Sequence, residues 1–292
     1  MDKLNNAPEE KVLSKKFYMK TLIGLLALVM QGAAFAQDPS ESMDALEQSK
    51  AKGKLVACAD PYDFPYAARG VSPPGFDIEI LRELAKRGGM DLEMYWADTG
   101  TRGGMSRALR NSILKGRCDI FAGVADNGDD DILMGQLAFT DPYLGVGYIL
   151  VVQNKAKDMK SIEELAAANI KIGVQMSTPI DAWLHDNGIS RELYADNPRV
   201  MRGMAQGEID AALVWSTVLT TAQRKYPDAT FRMADGYVPA KDQQWSLKYL
   251  VRKRDKSMMN FINEGVRELL ENGKIKEIVE SYGVPFYAPF PS

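Results

Sequence analysis

Asp60, Tyr62, Phe64 and Tyr66 stand within seven residues of one another. Three aromatic rings and one acid suit a small ligand held by stacking and apolar contact. Capping of a core by the same rings is the competing reading. Trp215 ends an apolar run and could floor the same cleft, or be core. Gln175-Met176-Ser177-Thr178 stands just before a helical pattern. Free N–H groups at a helix start can bind an anion or a carbonyl oxygen. Ordinary N-capping by Ser177 or Thr178 competes with that reading. Arg102 and Arg107 flank a glycine turn and are candidate contacts to a ligand or partner; a solvated face is the plainer reading. Asp126-Asn127-Gly128-Asp129-Asp130-Asp131 packs four carboxylates into six residues. Hard cations favour oxygen clusters, but the spacing lacks the alternation of a calcium loop. It reads as a solvated acidic loop, with Asp126 and Asn127 kept as cleft candidates.

Catalysis finds little support. His185 is the only histidine and sits in a polar stretch. No Ser-His-Asp, Cys-His or His-x-x-x-His set can be built from it, and elimination chemistry needs a placed acid or base. The chain therefore reads as a binding protein, not an enzyme, with no cofactor and no metal expected. The two cysteines, Cys58 and Cys118, leave two readings open. They form a disulfide in an oxidising compartment, or they are two buried thiols.

The compartment is readable near the start of the chain. Lys20, an apolar run from Thr21 to Ala33, and the small residues of Ala34-Phe35-Ala36 form the three parts of a secretory signal. The run is short for a membrane span, which needs ~20 residues. The expectation is a periplasmic protein cleaved near Ala36, with Met19 as an alternative start. Residues 1–36 hold five lysines and three acids, which leaves 31 basic and 36 acidic residues of the 36 and 39 in the chain. That balance gives no basic footprint for nucleic acid.

Behind these residues lies an alternation of strands and helices. Leu55–Ala59 is an apolar strand, and the loop Asp60–Tyr66 carries two prolines that forbid a regular element. Ile78, Leu81, Leu84 and Ala85 recur at helical spacing until Gly88-Gly89. Leu92–Trp96 and Cys118–Val124 read as strands with a helix between them. The order calls for a parallel sheet with right-handed crossovers. From Tyr148 the same logic repeats, with strands at Ile170–Gln175, Ile209–Trp215 and Trp245–Arg252. Ser161-Ile162-Glu163-Glu164 is a capping box, and two amphipathic helices close the chain.

Five phrases together resemble family 3 of the periplasmic solute-binding proteins. They are Gly75-Phe76-Asp77-Ile78-Glu79-Ile80, Gly116-Arg117-Cys118-Asp119-Ile120, Phe139-Thr140-Asp141-Pro142-Tyr143, Ile172-Gly173-Val174-Gln175 and Gly207-Glu208-Ile209-Asp210-Ala211. They keep the family's order over Lys54–Val284. The resemblance implies two α/β lobes joined by two crossing strands near Tyr143–Gly147 and Trp245–Tyr249, with ligand in the cleft and Tyr143 at its edge. Residues 37–53 are polar and read as a flexible leader; the expected lobes are 54–145 plus 248–292 and 146–247. In amino-acid binders of the family an Arg holds the ligand carboxylate and an Asp its ammonium. The matching positions here are Leu133 and Trp215, which argues against a standard amino-acid ligand. A narrower resemblance is to solute-binding-like proteins associated with quinoprotein alcohol dehydrogenases. It rests on Val56-Ala57-Cys58-Ala59-Asp60-Pro61, Arg102-Gly103 to Arg117-Cys118-Asp119, Val214-Trp215 and Ser281-Tyr282-Gly283-Val284-Pro285. It implies that both cysteines lie on neighbouring strands and pair. It also implies a dehydrogenase as partner, the alternative being an ABC permease. Tyr62-Asp63-Phe64-Pro65-Tyr66 and Ser216-Thr217 depart from that branch at the cleft.

Overall fold

The computed structural model describes residues 44–126, 128 and 130–291. The expected signal segment and Asn127 lie outside the described residues. Described residues begin with a helix, Ala45–Lys52, capped by the Asp44 carboxylate on the Glu47 amide and closed by Gly53 in the left-handed region. The expectation of a flexible leader over 37–53 is corrected here for its second half. Ser49 explains why: its hydroxyl donates to Asp119 at 3.1 Å, docking the helix on a segment 70 residues away.

Twelve strands follow: β1 Lys54–Ala59, β2 Tyr62–Asp63, β3 Ala67–Ala68, β4 Asp91–Trp96, β5 Ile120–Asp126, β6 Leu137–Phe139, β7 Leu144–Val152, β8 Ile172–Gln175, β9 Arg191–Tyr194, β10 Ala211–Trp215, β11 Arg232–Met233 and β12 Gln244–Arg252. Ten of them form one sheet in the order β4-β1-β5-β12-β7-β10-β8-β9, with β6 beside β12 and β11 beside β7. β1 runs parallel to β4 and β5, and β8 parallel to β9 and β10. These are the two α/β halves that the strand–helix alternation calls for. β12 and β7 are antiparallel and overlap only from Gln244↔Gly147 to Leu247↔Leu144. Beyond that overlap β12 runs on beside β5 and β6 in the first lobe, and β7 beside β10 and β11 in the second.

Each lobe buries apolar side chains on both faces of its part of the sheet. In the first, the helix Phe76–Arg87 turns Phe76, Ile80, Leu81 and Leu84 inward, and Gly88 ends it. The helices Lys256–Glu271 and Lys274–Ser281 return to that same core through Ile262, Val266, Ile278 and Val279. The opposite face holds Cys58, Leu109, Cys118 and Phe121. In the second lobe, Leu150, Val174 and Leu213 pack on one face and Ile149, Val151 and Val214 on the other. Cys58 and Cys118 are bonded, with their Cα atoms 5.7 Å apart. Parallel pairing of β1 with β5 brings their backbones together, since Cys58 sits opposite Phe121. Among the described residues no helix is long and apolar enough to cross a membrane.

Candidate ligand-binding site

Four elements converge where the two halves of the sheet meet. The first is the turn after β1. The Asp60 carboxylate accepts the Thr99 amide at 2.7 Å, the Thr99 hydroxyl, and the Tyr62 amide at 2.8 Å. Asp60 thus ties two loops together, and its oxygens are already engaged. The stretch Asp60–Tyr66, expected to lack a regular element, instead folds into a small hairpin. Tyr62 and Asp63 pair with Ala68 and Ala67, and the prolines fall outside the paired positions. The hairpin separates the three aromatics. Tyr62 is 81% exposed, Phe64 half-buried and Tyr66 buried.

The second element is the end of β10. Trp215 Nε1 donates to the Tyr66 hydroxyl at 2.8 Å, from the second lobe to the first. Burial pushes the Tyr66 phenol well above its ordinary range, so it stays neutral. Behind it, Phe76 packs at 5.0 Å between ring centroids. A second contact joins the lobes beside this one. The Arg224 guanidinium lies 4.7 Å from the Phe64 ring centroid, a cation–π geometry.

Tyr148 and Trp245 supply the third element, one on each crossing strand. Tyr148 meets Trp215 edge-on at 5.7 Å and Trp245 at 6.0 Å, and the two indoles are 5.3 Å apart. Neither Tyr148 nor Trp245 was singled out as a site residue from sequence. An aromatic inside a strand reads as core; the pairing of β7 with β10 sets Tyr148 opposite Trp215, and the overlap of β12 with β7 brings Trp245 to both. Burial raises the Tyr148 phenol, and a hydrogen bond with the Thr178 side chain opposes that rise.

Thr178 belongs to the fourth element, the turn from β8 into the helix Pro179–Asp186. Its hydroxyl donates to the Gln175 carbonyl at 2.7 Å and accepts from the Asp181 amide at 3.4 Å. The Ser177 amide donates to Asp181 Oδ2 at 2.9 Å. The Gln175 side chain accepts the Asn197 amide at 3.2 Å. Arg191 binds Asp181 at 2.6 Å and holds that carboxyl below the usual range. The chain's own side chains therefore engage the Ser177 and Asp181 amides, which favours capping over anion binding at this helix start. Met176 is exposed on the same turn.

Three sequence candidates stand elsewhere. Tyr143 is fully buried, stacked on Tyr249 at 4.3 Å, and donates to Asp77 Oδ1 at 2.6 Å. It therefore supports the core and does not line the cleft. Arg102 is exposed before the helix Gly104–Asn111, its carbonyl accepting from Arg107 at 3.1 Å. Asp126 Oδ2 accepts from Lys248 Nζ at 2.7 Å. Burial alone would raise the Asp126 carboxyl, but Lys248 and the Gly128 amide outweigh it and hold it low. Beside that ion pair a cavity of about 210 Å³ opens between β12 and the segment after the last helix, walled by Trp245 and Phe290.

The site residues that matter are thus aromatic and hydrogen-bonding. Trp215 is central among them, and its hydrogen-bond partner is Tyr66.

Comparison with known proteins agrees with the fold. The chain is 23% identical over 228 residues to the "Probable amino-acid-binding protein YxeM" of Bacillus subtilis, covering 77% of this chain and 81% of that one. It is 22% identical to the "Probable histidine-binding protein" of Neisseria gonorrhoeae, covering 88% and 93%. It is also 25% identical to the membrane-bound lytic murein transglycosylase F of Desulfosudis oleivorans, covering 90% of this chain but 56% of that protein, so it spans about half the enzyme's length. Among solved structures, the unliganded open L-cystine solute receptor of Neisseria gonorrhoeae superposes with a TM-score of 0.67 at 17% identity, over 82% of this chain and 96% of the other. An ancestral cyclohexadienyl dehydratase gives 0.63 at 18%, over 82% and 97%. Those likenesses show a mixed α/β two-lobed fold. The model of the bacterial extracellular solute-binding proteins, family 3, matches residues 55–285, and the chain belongs to that family.

Proposed function

We propose that this chain is the substrate-binding component of an importer, taking a small solute other than a standard amino acid between its lobes and delivering it to a membrane permease. The contact of Trp215 with Tyr66 carries this reading. An indole stands where the family resemblance implies an acid for the ligand ammonium. No arginine lies between Arg117 and Arg191 to hold a carboxylate. A zwitterion would leave both its charges unpaired among Tyr66, Tyr148, Trp215 and Trp245, and an unpaired buried charge costs several kcal/mol. The cargo that fits is uncharged, with a flat or apolar body for the rings and an acceptor for the indole N–H. Closure around it would present one composite surface of both lobes to the permease.

A second reading is favoured by the filling of the junction with the chain's own rings, and by the Arg224–Phe64 contact beside it. A protein held closed by its own side chains could offer its outer surface to a periplasmic quinoprotein dehydrogenase. Melting of residues 37–292 against a library of organic acids, alcohols, amino acids and neutral aromatic solutes tests both. A ligand at a hundredfold excess over its dissociation constant adds ~2.7 kcal/mol, so a true cargo raises the melting temperature visibly. No shift with any solute, together with co-elution with a quinoprotein dehydrogenase, replaces the importer reading by the second.

A further inference from the structure

The helix Lys274–Ser281 belongs to the first lobe, and Tyr282 and Val284 are buried in that lobe's core. The chain after Val284 does not stay there. It crosses the two strands that join the lobes and meets both of them. Tyr287 forms an antiparallel bridge with Gly145 of β7, and the Gly145 amide donates to the Tyr287 carbonyl at 2.9 Å. Three residues on, the Phe290 amide donates to the Ser246 hydroxyl of β12 at 3.0 Å, and that hydroxyl reaches the Phe290 carbonyl at 3.4 Å. Gly145 and Ser246 are themselves opposite one another in the β7–β12 overlap. The segment therefore lies along the overlap where the lobes must bend.

Its far anchor is in the second lobe. The Tyr287 hydroxyl donates to the Tyr237 carbonyl at 3.0 Å, and its ring packs against the cluster of Ile149, Val151 and Phe231. Burial raises the Tyr287 phenol to about 12, so the hydroxyl keeps its proton and remains a donor. One seven-residue stretch thus leaves the first core at Phe286, places Tyr287 against the second core, and ends hydrogen-bonded to β12 through Phe290. Gly145 is required for this approach. A Cβ there would lie 2.7 Å from the Ala288 carbonyl oxygen and 2.7 Å from the Phe290 ring, closer than side chains tolerate.

We propose that residues 285–291 form a strap that sets the angle between the lobes. Two strands joined over four residue pairs make a bendable connection. Hinges need a few residues free to change φ and ψ. A third segment hydrogen-bonded to both strands removes that freedom at Gly145 and Ser246, and opening must break its anchor at Tyr237 or its bridge at Gly145. The strap is independent of the cargo's identity, because none of its contacts uses Tyr66, Trp215 or Thr178.

Interlobe distance measurement tests this. Spin labels are placed as unnatural residues at exposed Arg82 and Ala195, which leaves the Cys58–Cys118 bond untouched. In the parent chain a single narrow distance distribution is expected. A chain ending at Val284 is expected to give a broader one with a longer mean, and faster amide exchange at Gly145 and Gly147. Gly145→Ala, which pushes the strap off β7 while keeping every residue of it, is expected to move the distribution the same way. Tyr287→Phe, which deletes only the second-lobe hydrogen bond, is expected to give a smaller shift. An unchanged distribution in the shortened chain and in Gly145→Ala, with both still cooperatively folded, overturns the strap. If the shortened chain does not fold, Gly145→Ala and Tyr287→Phe decide alone. Solute binding measured by melting is a separate readout, so failure of the importer reading leaves this result standing.

Discussion

Trp215 Nε1 and the Tyr66 hydroxyl meet at 2.8 Å across 149 residues of sequence, one from each lobe. Both groups are largely removed from water, and each would lose its partner on opening. The contact should therefore appear as coupling energy. Trp215→Phe and Tyr66→Phe each remove one side of it while keeping a ring. A double-mutant cycle by urea denaturation is expected to give a coupling of about 1 kcal/mol. Simple additivity of the two single changes would show that the lobes are not held here. Scattering should report the same event as a larger radius of gyration in either single variant.

Asp77 gives the protein an unusual pH dependence. It is fully buried at the start of the helix Phe76–Arg87; Tyr143 donates to its Oδ1, and its Oδ2 has no hydrogen-bond partner. Burial raises its carboxyl from 3.8 to about 8, against the opposing hydrogen bond from Tyr143. The folded protein therefore holds a proton that the unfolded chain has released between these values. Stability falls where the native state binds more protons than the unfolded one. The contribution of Asp77 is thus flat below pH 3.8, declines up to about pH 8, and is flat above it. The slope is about 1.4 kcal/mol per pH unit at most. Asp77→Asn, which cannot ionise, is expected to lose this decline, so the variant gains on the parent as pH rises from about 5 to 8. Urea midpoints at several pH values measure it, and parallel curves for the two proteins would refute it.

Much of this arrangement was legible from residues alone. The phrases around Asp77, Cys118, Tyr143 and Gln175 each fall at the boundary of a strand or a helix, and their order is what carries the family resemblance. What escaped is what depends on distant partners. The helix Ala45–Lys52 is mostly polar and looks unstructured until Ser49 finds Asp119. The loop Asp60–Tyr66 offers three aromatics with equal claims. Only the pairing of Tyr62 and Asp63 with Ala68 and Ala67 sends Tyr66 inward and leaves Tyr62 in solvent. Trp245 looks like a core residue of a strand, and nothing local tells that its strand crosses between lobes beside Trp215.

The Cys58–Cys118 bond closes a loop of 60 residues in the first lobe. Cross-linking a loop of that length restricts the unfolded chain by about 4 kcal/mol in the entropic account. Both sulfurs are buried, so the reduced pair leaves two small apolar groups and no unsatisfied polar atom. Denaturation with and without reductant is expected to show a loss of about 2–4 kcal/mol. Cys58→Ala with Cys118→Ala should match the reduced protein. A loss of stability in the double variant far beyond that of the reduced parent would mean that packing of the sulfurs, not the bond, carries the effect.

Gly75 controls whether Tyr66 can take part at all. Its φ is 126°, outside the range that residues with a Cβ adopt, and a Cβ there would sit 2.3 Å from the Tyr66 carbonyl oxygen. Backbone bonds hold the two strands of chain this close: the Asp77 amide donates to the Tyr66 carbonyl at 3.0 Å, and Phe76 to the Pro65 carbonyl at 2.9 Å. Gly75→Ala must therefore move backbone, not a flexible side chain. The conformational part costs about 1–3 kcal/mol, and the displaced hairpin carries Tyr66 away from Trp215. The variant is expected to melt lower and to lose the coupling measured for Trp215 and Tyr66. A Gly75→Ala protein that melts lower but keeps that coupling would mean the helix start yields and the hairpin stays, and Gly75 would then serve the first lobe's core alone.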